Sequence, residues 1–573
     1  MTWWEEAVFY QIYPRSFNDS DGDGVGDIQG IVEKVDYIDE LGVDAVWLNP
    51  VYESPQVDYG YDVSDYRAVH DEYGTMEDWE ELLNELHDRD IRLIMDLVAN
   101  HTSDEHSWFI RSRDSDDGYE DYYVWREGEE REGDDGVEQV PPNNWEAAFG
   151  GSAWKYDADR AEYYLHLFHE KQPDLNWRNP DVRDEIADVV EWWLGKGVDG
   201  FRMDVVNLLS KPDDLPDGNP ESDWVGSEHF VDGPRIHEYV GELQERAFEP
   251  HDAVTVAEMP DITPDKAERY AEDGVDIVIP FEHMELDRGD TVDWYTTEVD
   301  LVELKKVFSR WQEADCWTCL YWNNHDQPRA VSRFGDEGEH RVKSAKMLAT
   351  LTFTHRGTPF VYQGEEIGMT NPEFESFDEI RDTGTLERAK KAMEKIGVKG
   401  FENVRDIVNY WTRDNARTPM QWSGEDGAGF TEPDVEPWIK LTTNYETVNV
   451  ETARGDDNSV LSYYRELVDT RHENPVLVHG DYELLLEDHP EVYVYERSLS
   501  ERDDEEDTAG DTGSDRMLVM VNFFDGEPRF SLPDGYEKSL EEVMVSNYDV
   551  ADETDADTTF ELRPYEARVY RVR

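Results

Sequence analysis

The chain has 573 residues, with 53 Lys and Arg against 136 Asp and Glu, a formal charge of −83. At 38% hydrophobic residues that balance resembles a disordered chain, but 19 Trp, 30 Tyr and 21 Phe exclude one, because disordered chains are poor in aromatics. The charge therefore belongs to a folded surface, and such a surface repels nucleic acid and anionic membrane.

Self-repulsion on this scale is tolerable where salt cuts the Debye length to about 3 Å at 1 M, so a halophilic protein is expected. The opening "MTWWEEAVFYQIYP" lacks the basic start and apolar run of a signal peptide. No apolar stretch is long enough to span a membrane. A cytoplasmic monomer or small homo-oligomer is expected. The two cysteines, Cys316 and Cys319 in "CWTC", have no second Cys/His pair beside them and read as small residues on a buried strand.

In chain order, the first apolar run is "AVFYQIYP" (7–14), and an acidic loop, "DSDGDGVGDIQG" (19–30), follows it. The loop opens like an EF-hand, but its twelfth position is Gly30 instead of a bidentate Glu, and a strand precedes it. It is not a sensor. The carboxylates of Asp19, Asp21, Asp23 and Asp27, with the Val25 carbonyl, offer oxygen ligands to one hard cation.

Further runs are "AVWLNP" (45–50), "RLIMDLV" (92–98), "GFRMD" (200–204), "VTVAE" (254–258), "DIVIPFE" (276–282), "CLYWNNHD" (319–326) and "TPFVYQGEE" (358–366). Helical patterns separate them at 31–42, 179–197, 299–313, 341–354 and 459–472; Pro180 opens the second and Gly197 follows it. Eight strands alternating with helices predict an α/β fold, a (β/α)₈ TIM barrel over 1–99 and 179–475. An open doubly wound sheet would need a phosphate-cradling Gly loop after a strand, and none is present.

Two long gaps interrupt the repeat. Residues 100–178 read as an inserted domain after strand 3, with an acidic, disordered-looking hairpin at 127–138. Residues 366–457 form an insert after strand 8 holding a basic run, "RAKKAMEKIGVKG" (388–400), expected as a solvated helix face. From 476 to 573 the alternating "VYVYERS", "RMLVMVNF" and "EARVYRVR" predict a C-terminal antiparallel β-sandwich, with a mobile acidic loop at 501–515.

In such a barrel chemistry sits at the carboxyl ends of the strands. Those ends carry Asp96, Asn100, His101, Arg202, Asp204, Glu258, His325 and Asp326. Arg202 and Asp204, two apart, point to one side of their strand, so the guanidinium is expected to keep Asp204 ionised. Glu258 has no cationic neighbour in sequence. One charged carboxylate beside one that holds a proton is the division of labour for glycoside cleavage.

"DLVANHTS" (96–103), "GFRMDVVN" (200–207), "VAEMP" (256–260) and "NNHDQPR" (323–329) resemble the four signature regions of the α-amylase family of glycoside hydrolases. "QPDLNW" (172–177) is similar to its fifth region, and "GVDAVWLNPVYESP" (42–55) to its strand 2 region. "YGYDVSDY" (59–66), "AFGGSAW" (148–154) and "RTPMQW" (417–422) are shared with its α-glucosidase and oligo-1,6-glucosidase group. The resemblance covers about residues 4–475.

It implies that Asp204 is the nucleophile, Glu258 the acid/base and Asp326 the stabiliser of an oxocarbenium-like transition state. It places His101, Arg202 and His325 around the sugar, Tyr61 on its face, and Asp62 with Arg413 at the closed end of an exo-acting pocket. Phe149 and Gln172, in the shared motifs, join the substrate-binding set. Val205 after the nucleophile accompanies α-1,6 activity in the group, and Ala257 replaces the family's usual Gly. "VSRFGD" (331–336) lacks the charged motif of sucrose isomerases, favouring hydrolysis. The alternative is a transglucosylase or isomerase acting on sucrose or trehalose, since a sugar hydroxyl can take the covalent intermediate as water does. The acidic loop corresponds to one holding structural Ca²⁺ or Mg²⁺. The implied substrate is a small α-glucoside, and a phosphorylated disaccharide is not expected, because the pocket segments hold no Lys or Arg cluster. A transporter-chaperone relative would have lost the carboxylates, and a pure carbohydrate binder would not need all three.

Overall fold

The computed structural model describes residues 2–133, 136–288, 298–499, 515–533, 540–550 and 559–572. Its centre is a parallel sheet of eight strands: β1 (Phe9–Ile12), β2 (Ala45–Leu48), β3 (Arg92–Leu97), β4 (Gly200–Met203), β5 (Val254–Glu258), β6 (Ile277–Ile279), β7 (Cys319–Leu320) and β8 (Thr358–Tyr362). The spatial order is β6-β5-β4-β3-β2-β1-β8-β7, and a parallel bridge between Val278 and Thr318 brings the two ends together. The result is a nearly closed (β/α)₈ barrel, each strand falling on one of the apolar runs. β7 is shorter than expected: pairing stops at Leu320, so His325 and Asp326 stand on the loop beyond it.

The strands are buried on both faces because helices cover the outside, which is why they read as continuous apolar runs. The pattern at 31–42 divides into Ile28–Val32 and α1 (Val35–Leu41), with Asp27 accepting from the Gly30 amide as the cap of the first turn. The other predicted helices form as α2 (Pro180–Leu194), α3 (Leu301–Glu313), α4 (Arg341–Thr354) and α6 (Val460–Glu473). Asn179, Asp300 and Ser459 cap α2, α3 and α6 through their side chains.

After β3 the chain forms a three-stranded antiparallel sheet from Trp125–Arg126, Trp154–Asp157 and Glu162–Leu165. The acidic hairpin pairs Glu129–Gly133 with Gly136–Val140, residues 134–135 lying outside the described set. Trp145, Trp154 and Leu167 of this insert pack with Val205, Leu208 and Phe230, which follow β4. The insert therefore rests on the segment just beyond the expected nucleophile.

In the second insert, α5 (Thr383–Ile396) carries most of the basic run and packs around Phe374, Phe401, Val404 and Val408. Its basic face is solvated as expected, with Arg388, Lys390, Lys391 and Lys395 all exposed, but it also reaches a neighbour. Lys391 pairs with Glu146 at 3.1 Å, and Arg388 donates to the Ala148 carbonyl at 3.3 Å, so α5 is tied to the first insert.

The last part is a five-stranded antiparallel sheet, β9 (Asp481–Leu485), β10 (Val492–Leu499), β11 (Asp515–Asn522), β12 (Leu540–Ser546) and β13 (Ala567–Val572), ordered β9-β10-β11-β13-β12. A strand pair, Arg529–Ser531 with Thr559–Glu561, lays Phe530 and Phe560 over Val492, Val494, Leu518 and Met520, giving the sandwich. On the opposite face, buried Arg497 donates to the carbonyls of Thr354, Leu477 and Gly480, locking the sheet to the barrel. The acidic segment 501–514 lies outside the described residues. Cys316 and Cys319 are buried free thiols; burial pushes Cys316 up to about 12, so neither is a ready thiolate. Among the described residues no helix is long and apolar enough to cross a membrane.

Candidate active site

β3, β4 and β5 lie side by side, and their carboxyl ends deliver Asp96, Arg202, Asp204 and Glu258 to one point. The Arg202 guanidinium is 1% exposed and touches all three carboxylates: Asp96 at 2.5 Å, Asp204 at 2.8 Å and Glu258 at 2.6 Å. Glu258 thus does have a cationic neighbour. It was invisible in the sequence because it comes from the adjacent strand.

Three buried acids share this one cation, and burial outweighs it. Desolvation, opposed by Arg202, pushes Asp204 up to about 6, where the Arg–Asp spacing alone predicted a lowered value. Glu258 is pushed higher, to about 7, by burial and by the charges of Asp204 and Asp326 against Arg202. Glu258 is thus raised further than Asp204, the direction that a proton donor beside a nucleophile requires.

Val205 sits in the left-handed region at φ 37°, where a β-branched residue is strained, and its amide reaches Glu258 at 3.3 Å. The strained turn aims a backbone donor at the carboxyl.

Asp326 is more open than Asp204 or Glu258, its side chain 32% exposed. Arg417 meets its Oδ1 at 2.7 Å and Arg413 at 3.3 Å. Burial alone would raise Asp326, yet His325, Arg413 and Arg417 hold it well below the usual carboxylate range. Burial lowers His325 itself to about 3, so at neutral pH the two guanidiniums do the holding.

His325 accepts at Nδ1 from the Gln11 amide at 2.9 Å, which puts the ring proton on Nε2, 2.8 Å from the Tyr61 hydroxyl. The Tyr61 ring stacks on His325 at 5.3 Å. His101 is buried, lowered to about 4 by desolvation, and lies 3.2 Å from Gln172. Beneath it the Lys211 ammonium, 5% exposed at the side chain, holds Asp174 at 2.6 Å and Asn100 at 2.7 Å.

Asp62, expected with Arg413 at the closed end of the pocket, makes no ion pair with it among the described residues. Both oxygens of Asp62 accept backbone amides, from Val57 at 2.9 Å and Asp58 at 3.0 Å, which turns the carboxylate into its own loop. Arg413 instead pairs with Asp58 at 2.9 Å and Asp382 at 2.6 Å, and lies over the Phe149 ring at 5.2 Å. Asp382 also caps α5, and a side chain at Gly384 would stand 2.9 Å from Phe149, so a glycine is needed there.

Residues 11–480 match the model for the α-amylase catalytic domain. The chain belongs to the α-amylase family. It is 50% identical to the oligo-1,6-glucosidase of Parageobacillus thermoglucosidasius, covering 100% of this chain and 99% of that one. Among solved structures of the family, the trehalose-6-phosphate hydrolase of Bacillus licheniformis superimposes with a TM-score of 0.89 at 42% identity, over 100% of this chain and 99% of that one. The isomaltulose synthase of Klebsiella sp. LX3 superimposes with a TM-score of 0.92 at 40% identity, over 100% of both chains. The protein is an enzyme of the glycoside hydrolase and transferase class.

In the acidic loop, ligand oxygens of Asp19, Asp21 and Asp27 lie within 4.8 Å of one another. Among the described residues no Lys, Arg or His ion pair reaches them, so an all-oxygen, uncompensated set fits a hard divalent cation. Asp23 stands outside that cluster, its Oδ1 accepting from the Val25 amide at 2.8 Å.

Proposed function

We propose that this is a retaining, exo-acting α-glucosidase, which removes the non-reducing terminal glucose of short α-glucosides through a covalent glucosyl–Asp204 intermediate. Asp204 attacks the anomeric carbon while Glu258 protonates the leaving oxygen. Glu258 then takes a proton from the water that releases glucose, and Asp326 stabilises the oxocarbenium-like transition state. The observation that carries the reading is Arg202 bridging Asp204 and Glu258. Two carboxyls near enough to share one guanidinium suit the roughly 5–5.5 Å of a retaining pair. Their ordered titration supplies one nucleophile and one acid.

His101, His325, Tyr61, Gln172 and Arg202 line the sugar site in this reading, and Arg413 with Asp58, Asp382 and Phe149 closes its far end, which supports exo action. Asp62 acts only through its loop. The oligo-1,6-glucosidase relative and Val205 favour α-1,6 bonds. Asp19, Asp21 and Asp27 would hold a structural Ca²⁺ or Mg²⁺. The charge of −83 supports a salt-loaded cytoplasm as its setting, as a monomer or small homo-oligomer.

Initial rates on isomaltose, maltose, sucrose, trehalose and trehalose 6-phosphate in molar KCl test the substrate assignment. Glucose release from isomaltose or maltose is expected to be fastest. Rearrangement of sucrose or trehalose without net hydrolysis would make the enzyme a transglucosylase, and preference for the phosphorylated sugar would overturn the neutral-substrate reading.

A further inference from the structure

The motif "RTPMQW" (417–422) has no part in the mechanism so far, and its backbone explains how it is placed. The Ser16 hydroxyl donates to the Arg417 carbonyl at 2.5 Å, the Met420 amide donates to the Ser16 carbonyl at 2.8 Å, and the Trp422 indole donates to the Phe17 carbonyl at 2.7 Å. The motif is a strap fastened to the loop after β1. From it Arg417, 1% exposed, reaches across to the loop after β7. There Nη2 donates to Asp326 Oδ1 at 2.7 Å and Nε donates to the His325 carbonyl at 3.1 Å, while Nη1 is buried with no hydrogen-bond partner. Among the described residues this buried cation makes its one ion pair with Asp326.

The two guanidiniums on Asp326 are not equivalent. Arg413 is the farther, at 3.3 Å, and already serves Asp58 and Asp382. Arg417 makes no other ion pair among the described residues and also grips the carbonyl of the preceding residue, so it fixes backbone and side chain together. Both guanidiniums take Oδ1, leaving Oδ2 with His325 Nε2 at 3.6 Å.

We propose that Arg417 is the positioning residue for Asp326: it pins Oδ1 from the buried side so that Oδ2 is the oxygen offered to the sugar. The second insert thereby has a function, since it delivers this anchor. Arg413 is left free to exchange its long contact for sugar hydroxyls without stranding Asp326. The proposal rests on the role given to Asp326 above.

A double-mutant cycle on an aryl α-glucoside tests it, using Arg417→Met, Asp326→Asn and both together, with melting temperatures recorded for each. Arg417→Met is expected to lower kcat/KM by about 100-fold, mostly in kcat, the loss typical of one transition-state donor. In the Asp326→Asn background the same change should cost less than about 3-fold, because its target is already neutral. Arg417→Lys should recover part of the loss, a point charge replacing the fork but not the bond to His325. Equal losses in both backgrounds, or a single variant close to wild type, would overturn the proposal. If Arg417→Met does not fold, the cycle is run with Arg417→Lys and read the same way. Wild-type kcat in Asp326→Asn alone would instead remove the role of Asp326, and the proposal with it.

Discussion

Glu258→Gln separates chemistry from stability in this site. Asp96, Asp204 and Glu258 converge on the single guanidinium of Arg202, so the buried cluster is short of positive charge. Burial carries Glu258 from 4.5 to about 7 despite Arg202. A carboxyl whose pKa is raised on folding gives its full support only below the unfolded value and loses it as pH rises through the folded one. By pH 8 the gap between 4.5 and about 7 amounts to about 3 kcal/mol of destabilisation. Gln keeps the shape without the charge. At about 2.1 cal/mol/K per residue, a chain this long unfolding cooperatively should gain roughly 2–3 °C in Tm at pH 8. At pH 4, where the acid is mostly protonated in both states, there should be little change. Disaccharide cleavage should fall by about 10²–10⁴-fold in the same variant, as the general acid is gone. Scanning calorimetry at pH 4, 6 and 8 beside initial rates checks both halves. A variant less stable at pH 8, or equally stabilised at pH 4, would refute the charge argument.

The pH dependence of kcat/KM should be a narrow bell: activity falls below about 6 as Asp204 takes a proton, and above about 7 as Glu258 loses one. The apparent values belong to the coupled pair, and a profile flat from pH 5 to 9 would contradict the assignment. Chelation should lower Tm by the linkage of a bound ion, and Asp19→Ala should mimic it and remove any further response; an unchanged melting curve would make the loop a bare acidic turn. Dilution from molar KCl to below about 0.1 M should unfold or inactivate the enzyme as screening is lost, and a melting curve indifferent to salt would count against the halophilic reading.

The barrel was legible because its strands, covered on both faces, are written as continuous apolar runs, and because caps such as Asn179–Pro180 mark the helix starts. The strand ends likewise displayed Asp204 and Glu258, whereas Asp326 stands on the loop beyond β7. What stayed hidden was pairing across the sheet and between distant loops. No spacing rule connects Arg202 to Glu258, Arg413 to Asp58, or Arg417 to Asp326. Within "VDYGYD" both acids are plausible partners for an arginine, and only the turn of the loop, which spends Asp62 on the amides of Val57 and Asp58, leaves Asp58 facing Arg413. Lys211 shows the same limit, a charged residue that reads as surface but is buried against Asp174. The pKa of Asp204 was misread in sign because sequence shows a neighbouring charge but not the depth of burial.

The central claim, a two-step displacement on Asp204, is tested most directly by the anomer first released. Proton NMR of isomaltose or maltose digestion in molar KCl, read before mutarotation, should show α-glucose appearing first. If β-glucose appears first, the reaction is a single inverting displacement, and Asp204 is not the nucleophile.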